Sequence, residues 1–241
     1  MSTRTIVVRE VLVVLALFLG IAGVATDQQR GSAADLLEQF KTNCAYSHQF
    51  QIAQKLVSLH DTAVLPGLAP YLKDDDRHVR GNAALVFAGL GDDRGLHVIY
   101  AILRDRSDRP RGQGTGGNWS VASQIVSDRY YAAHLLGDLK DPRAVPILVS
   151  LLKDAEVNWV VPWALGEIGD RASIPPLIQT LNDRSPDMRV LSIYALEKLK
   201  AKEALPQIRS LVQDDERIHF DGLVKVGEAA NSAVAKLAVL P

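Results

Sequence analysis

The stretch DPRAVPILVSLLKD, from Asp141 to Asp154, decides the fold, because the chain contains it in five variants. Its apolar residues Val145, Leu148 and Leu152 recur at the spacing of one helix face. The other variants align with it without a gap: DTAVLPGLAPYLKD from Asp61, DDRGLHVIYAILRD from Asp92, DRASIPPLIQTLND from Asp170 and AKEALPQIRSLVQD from Ala201. Each copy is therefore predicted to form an amphipathic helix.

Proline recurs at one register in four of the copies, at Pro66, Pro146, Pro175 and Pro206. A helix tolerates proline in its first turn, where the missing N–H has no partner inside the helix. The prolines therefore predict that each helix begins one or two residues before them.

A second helical run rich in Ala and Leu follows most copies. Gly91 and Gly169 stand near the ends of two such runs and can adopt the left-handed conformation that stops a helix. The runs align without gaps: VRGNAALVFAGLG from Val79, DRYYAAHLLGDLK from Asp128, VNWVVPWALGEIG from Val157 and MRVLSIYALEKLK from Met188. The repeating unit is helix, turn, helix.

The starts of the five copies are separated by 31, 49, 29 and 31 residues, and the long interval contains an insertion of eighteen. A fixed period of this size is typical of stacked helical repeats. The predicted fold class is all-α, an α-solenoid of antiparallel helix pairs.

The element A-V-P-x-L-x-x-L-L-K-D followed by V-R-x-x-A-A resembles the HEAT repeat in its short bacterial form, which also occurs in phycobilin lyase-like proteins. The resemblance covers about residues 61–238. The family pairs an Asp that ends the first helix with an Arg that starts the second, and Asp74 with Arg80 and Asp183 with Arg189 match it. Asn158 departs from the pattern. We expect the Asp to accept amides of the second helix, and the Arg to bridge to that carboxylate or to the next repeat.

The two ends of the repeat array need helices that cover an apolar face. Residues 33–60 are predicted to be a degenerate helical pair that caps the N-terminal end. A last helix is predicted from about Val226.

The N-terminus has Arg4 and Arg9 before an uncharged apolar run, Val11–Ala25. This pattern predicts a signal peptide over residues 1–25 and a periplasmic or secreted protein. The alternative is an uncleaved membrane anchor over residues 6–25, the only membrane contact that we expect. Cys44, the single cysteine, is interpreted as a small buried apolar residue without chemistry.

Charge and motifs exclude several classes of function. The formal net charge of −1 gives no general attraction to nucleic acid, so we expect none as a partner. No histidines occur at metal-ligand spacing, and the glycines of residues 111–120 lack the lysine of a phosphate-binding loop. We therefore expect no metal, no cofactor and no catalytic residue.

Aromatic residues recur at two equivalent positions of the second helices, four residues apart. If the core-facing set includes Phe87, Leu136, Leu165 and Leu196, the aromatic residues point to the concave surface, where large rings are favoured anchors for a partner. Packing between repeats is the alternative. Pro162 indicates that the helix carrying two of them starts late or bends. The candidate partner-binding residues are Tyr130, His134, Trp159, Trp163 and Tyr194.

The insertion, at about residues 106–127, concentrates Arg106, Arg109 and Arg111 and also contains Trp119. A long loop that interrupts a strict period is often functional, and these four residues complete the candidate binding set. A tolerated, solvated insertion is the alternative.

These patterns together lead to an expectation of a non-enzymatic scaffold that acts outside the cytoplasm and holds a protein or peptide on its concave face. The HEAT resemblance implies an alternative, a bilin lyase-like enzyme or chaperone.

Overall fold

The computed structural model describes residues 33–43, 45–107, 121–219 and 224–240, and its regular elements are helices. Within these residues the β-pairing is a single isolated bridge between Arg217 and Lys225. The α-helices in chain order are α1 Ala33–Thr42, α2 Tyr46–Leu59, α3 Leu65–Leu68, α4 Arg77–Gly89, α5 Arg94–Arg104, α6 Val121–Leu139, α7 Val145–Ser150, α8 Val161–Ile168, α9 Ile174–Thr180, α10 Pro186–Lys198, α11 Leu205–Ser210 and α12 Val226–Ala238. The predicted all-α fold, an α-solenoid of helix pairs, is confirmed.

The first helix of most pairs is shorter than the sequence pattern suggests. Four copies open with an Asp whose carboxylate accepts the amide two residues on, as Asp141 does from Arg143 at 2.9 Å, and three of these Asp residues precede a 3-10 turn. A 3-10 turn follows, Pro142–Ala144 in this copy, and the α-helix begins only at Val145. The proline therefore lies in the first turn, as predicted. Helix α5, which has no proline, runs for 11 residues.

The turns that end the second helices are left-handed. Gly91 has φ 85° and Gly169 has φ 77°, which confirms the role predicted for both glycines. His60, Lys140 and Lys200 also have positive φ, between 53° and 57°. These three side chains carry a conformational strain that glycine avoids.

The chain divides into two compact units, Met1–Ala132 and Ala133–Pro241. In the first, α4 packs between α2 and α5 around fully buried side chains such as Phe50 and Phe87. Helix α5 approaches α4 very closely at Gly95, where a Cβ would lie 2.3 Å from the Ala84 carbonyl oxygen. Only glycine permits this contact.

In the second unit, α10 packs against α8, α9 and α12. The predicted core positions Leu136, Leu165 and Leu196 are fully buried, which confirms their assignment. Burial of each leucine contributes about 1.5–3 kcal/mol to stability. The opposite faces of the same helices carry the candidate site.

Several predicted features lie outside the described residues: the N-terminal segment 1–25, Cys44 and most of the insertion. The capping pair of residues 33–60 corresponds to helices α1 and α2, and the last predicted helix to α12. Among the helices of the described ranges, none combines the length and the apolar character that crossing a membrane requires.

Candidate functional site

Three aromatic side chains lie at equivalent positions of successive second helices in the second unit: His134 on α6, Trp163 on α8 and Tyr194 on α10. We call them the aromatic row. The rings of His134 and Trp163 are stacked, with centroids 4.1 Å apart and an interplanar angle of 27°. His134 is 5% exposed, Trp163 is half-buried and Tyr194 is 46% exposed. The row therefore has a buried end and an open end.

Gly137 allows the Trp163 indole to lie on α6. A Cβ at this residue would stand 2.7 Å from Cζ3 of Trp163 and 3.0 Å from Cα of Ala164. Any side chain here would displace the ring or separate the two helices. The glycine thus fixes the indole beside His134.

A second row follows one helical turn further along the same helices, since Asp138, Glu167 and Lys198 are each four residues after a member of the aromatic row. We call these three residues the charged row. Nδ1 of His134 lies 2.9 Å from Oδ2 of Asp138, and Lys198 is ion-paired with Glu167. Lys140 Nζ also lies 3.9 Å from Glu167.

The charged row is open to solvent to different degrees. The side chains of Asp138 and Glu167 are 23% and 19% exposed, and that of Lys198 is 50% exposed. This row was not predicted from the sequence, although the i, i+4 relation that links the two aromatic positions also leads to it.

The other predicted aromatics are placed differently. Trp159 lies in the 3-10 turn Asn158–Val160 and is half-buried. Helix α8 begins only at Val161, which confirms the late start indicated by Pro162. Tyr130 belongs to the first unit and is 6% exposed, so little of its ring can reach a partner.

The arginine loop is only partly described. Arg106 is exposed, while Arg109, Arg111 and Trp119 lie outside the described residues. The role predicted for these four residues stays a prediction.

The Asp–Arg pairs join the turns of the repeats. Arg80 Nη1 donates to the backbone carbonyl of Asp74 at 2.7 Å, and Arg189 Nη1 donates to that of Asp183 at 2.8 Å. The acceptor is thus the carbonyl, while the Asp74 and Asp183 carboxylates accept amides two residues on. Arg189 also reaches the next repeat, at Glu216, 2.8 Å away.

Arg129 makes a related contact, since its Nε donates at 2.8 Å to the carbonyl of Leu103, two residues before the Asp that ends the copy. Asn158, at the equivalent position, has a side chain too short to span this distance. Its backbone amide bonds to the Asp154 carbonyl at 2.8 Å instead. The repeat that carries Trp159 and Trp163 therefore lacks the arginine contact.

A buried charged cluster occupies the first unit. Arg77, 4% exposed, donates to Asp105 Oδ2 at 2.7 Å and to Asp128 Oδ2 at 3.2 Å. Asp128 is 1% exposed, and Nδ1 of His78 lies 3.5 Å from its Oδ1. Burial acts to raise the pKa of Asp105, but hydrogen bonds from Ser107 and the Arg77 charge outweigh it, so the pKa is lowered.

Rings surround the cluster on one side. The His78 imidazole lies 4.7 Å from the Tyr46 ring and 4.9 Å from the Tyr131 ring, between centroids. The Tyr131 hydroxyl donates to Asn82, which in turn donates to the Tyr46 carbonyl at 3.0 Å. Its polar groups pair with each other, so the cluster is a structural network. The described ranges contain no group of three His, Cys, Asp or Glu side chains arranged to hold a metal ion.

Comparison with known families identifies HEAT repeats over residues 123–179 and 154–218. The chain is 39% identical over 94 residues to the bilin biosynthesis protein PecE of Mastigocladus laminosus, covering 37% of this chain and 35% of that protein. It is 30% identical over 101 residues to the phycocyanobilin lyase subunit alpha of a Picosynechococcus species, covering 37% and 38%. The chain thus spans little more than a third of these relatives.

A designed armadillo repeat protein is similar in structure, with a TM-score of 0.44 at 17% identity, over 86% of this chain and all of that one.

These relatives contradict the expectation of a non-enzymatic scaffold outside the cytoplasm. They are named for bilin biosynthesis and for a bilin lyase, which favours the alternative drawn from the HEAT resemblance. The expectation was wrong because the repeat pattern and the aromatic residues describe a binding surface without specifying its ligand.

Proposed function

Because the chain is a HEAT-repeat protein, we propose that it is a bilin lyase-like protein, which binds an open-chain tetrapyrrole and presents it to an acceptor protein. The observation that carries the proposal is the 39% identity over 94 residues to a protein named for bilin biosynthesis. The second relative, named as a phycocyanobilin lyase subunit, supports the same chemistry.

A stack of helical repeats suits this task, because such proteins use extended surfaces to bind other proteins. A protein partner is therefore part of the proposal. The relative named as a subunit alpha motivates a second candidate partner, another lyase subunit.

Attachment of a bilin to a protein needs no oxidant or reductant. The thiol of an acceptor cysteine adds across a carbon–carbon double bond at the edge of the bilin, so that one C–S bond forms and one π bond is lost. The thiol proton passes to the bilin. A lyase-like protein therefore acts by holding the two reactants in a productive orientation and by keeping the reactive edge from other thiols.

Co-expression tests the proposal. The full chain is produced in a heterologous host together with a bilin-synthesising system and a phycobiliprotein subunit, with and without a second lyase subunit. We expect a covalent bilin adduct on the acceptor, visible by absorbance of the denatured protein, at a level above that without this chain. An unchanged adduct level, together with no binding of bilin to the purified chain, would refute the proposal.

The N-terminal prediction needs its own test. We retain the proposal that residues 1–25 direct export or anchor the chain, since the apolar run follows two arginines. Cell fractionation with N-terminal sequencing of the mature protein decides between a cleaved signal and an anchor. Recovery of an intact N-terminus from the soluble cytoplasmic fraction would contradict both.

A further inference from the structure

We infer that the face formed by the aromatic row and the charged row in the second unit is the surface on which the open-chain tetrapyrrole lies. This inference rests on the proposed function, and it assigns the ligand to particular residues. Trp163 and Tyr194 supply ring faces, while the buried His134 supports the indole by stacking on it. The charged row supplies acceptors and donors for the polar edge of the ligand.

Ring stacking is the first argument. An open-chain tetrapyrrole is a flat conjugated system, which gains most from flat partners whose geometry is already fixed. The Trp163 indole meets this requirement, because His134 stacks on it at 4.1 Å and Gly137 leaves it room against α6. Tyr194 adds the most exposed ring of the row, at 46%.

Complementary polar groups are the second argument. A tetrapyrrole carries pyrrole N–H donors along its length and two propionate carboxylates at its edge. The Asp138 and Glu167 carboxylates can accept from the N–H groups, and Lys140 and Lys198 can pair with the propionates. Asp138 is oriented by His134 and Glu167 by Lys198, so both carboxylates are held before the ligand arrives.

The length of the surface is the third argument. Neighbouring helices pack about 8–10 Å apart, so a row that crosses three helices extends for about 20 Å. Helix α8, the middle one, packs against α10 and meets α6 through Trp163 and Gly137. An extended four-ring ligand can contact all three helices, whereas a single-ring ligand cannot.

The first unit has no such surface at the equivalent place. Leu85 stands there in α4, followed four residues later by Gly89. Leu85 is 3% exposed, and a Cβ on Gly89 would lie 2.7 Å from the Val57 side chain. In the first unit this position is therefore buried between packed helices and offers no surface to a ligand. The aromatic row and the charged row are in this respect a feature of the second unit.

Binding of biliverdin, a commercially available open-chain tetrapyrrole, to the purified full chain tests the inference. The dissociation constant is measured from the absorbance change of the bilin for wild type, Tyr194→Ala and Trp163→Leu. We expect each substitution to weaken binding by about fivefold to tenfold, because each removes an aromatic contact. Tyr100→Ala, which removes a tyrosine of the first unit, is the matched control and is expected to leave the constant unchanged.

Tryptophan emission gives an independent readout. The chain has tryptophans at 119, 159 and 163, so Trp163 is the only emitter in the double variant Trp119→Phe, Trp159→Phe. We expect biliverdin to quench this emission with the same midpoint as the absorbance change. For the charged row, Lys198→Met is expected to weaken binding about threefold at low salt and less at high salt.

The outcomes separate the inference from the proposed function. If wild type does not bind biliverdin, the inference is overturned, and the proposed function is overturned with it when co-expression also leaves the adduct level unchanged. If wild type binds but Tyr194→Ala and Trp163→Leu bind equally well, and Trp163 emission is not quenched, the tetrapyrrole lies elsewhere and only the inference fails. Tyr194 is exposed, so its substitution tests the site without disturbing the core.

Discussion

Replacement of Arg77 by methionine should destabilise the first unit by about 3 kcal/mol. Arg77 is 4% exposed and donates to Asp105, to Asp128 and to the backbone and hydroxyl of Ser107. Methionine keeps much of the buried length, but it leaves the Asp128 carboxylate, 1% exposed, without its guanidinium. Removal of one partner from a buried ion pair costs about 3–5 kcal/mol. The lower end applies, because the polar His78 ring still lies 3.5 Å from the Asp128 carboxylate.

Urea unfolding measures the effect with two probes. Circular dichroism at 222 nm follows helices of both units, while the emission of Trp159 and Trp163 reports on the second unit. We expect Arg77→Met to move part of the dichroism transition to lower urea and to leave the tryptophan transition nearly in place. Trp119→Phe serves as the background, so that emission comes from the second unit alone.

The matched control is Arg171→Met. Arg171 pairs with Glu203 at 2.6 Å, but the two side chains are 63% and 46% exposed. Exposed pairs contribute between about 0 and 1 kcal/mol, so this variant should unfold almost like wild type. If Arg77→Met changes the free energy of unfolding by less than about 1 kcal/mol, the buried ion pair does not contribute the stability assigned to it.

Three further predictions concern stability. The pKa of Asp105 is lowered from its ordinary 3.8, so the stability that its charge contributes is present above that pH and is lost as the pH falls through the folded pKa. The unfolding free energies of wild type and Asp105→Asn, measured from pH 7 to pH 3, should therefore converge at the acid end. A difference that stays constant over this range would contradict the prediction. Leu165→Ala, at a fully buried position, should cost about 3 kcal/mol in a urea titration, whereas Leu59→Ala, at 37% exposure, should cost about 0.5 kcal/mol. Residues 169 and 200 both have positive φ, which glycine adopts more easily than other residues. In thermal melts, Gly169→Ala should therefore destabilise the protein by about 1 kcal/mol and Lys200→Gly should stabilise it by a similar amount. Changes of stability with the same sign in both variants would exclude this explanation.

The repeat architecture could be predicted from the sequence because several independent signals agree at each repeat. Apolar spacing, a proline in the first turn and a glycine at the end of the second helix all indicate the same element boundaries, as at Pro146 and Gly169. What the pattern could not reveal is that most first helices begin with a 3-10 turn. The Asp carboxylate that caps the turn competes with the regular α-helical hydrogen bonds, and the apolar spacing is compatible with both geometries.

The candidate site was predictable only in part. The equivalent positions of His134, Trp163 and Tyr194 follow from the alignment of repeats, but the burial of His134 depends on how closely α6 and α8 approach at Gly137. Ion pairs such as that of Lys198 with Glu167 join residues of different helices, whose side-chain directions a single sequence does not determine. The identity of the proposed ligand was inferred from the names of the relatives, because a solenoid fold can bind many kinds of ligand.

The repeat with Asn158 in place of arginine has a consequence for hydrogen exchange. Arg80, Arg129 and Arg189 each link a second helix to a carbonyl near the end of the first, and this repeat has no such arginine contact. Its second helix is also short, at 8 residues. Amide protons of α8 should therefore exchange with deuterium faster than those of α10, because the free energy of local opening at α8 lies well below that of global unfolding. A ligand bound against Trp163 would slow this exchange. Helix α8, which opens easily in the free protein, would then gain the most protection when the ligand is bound.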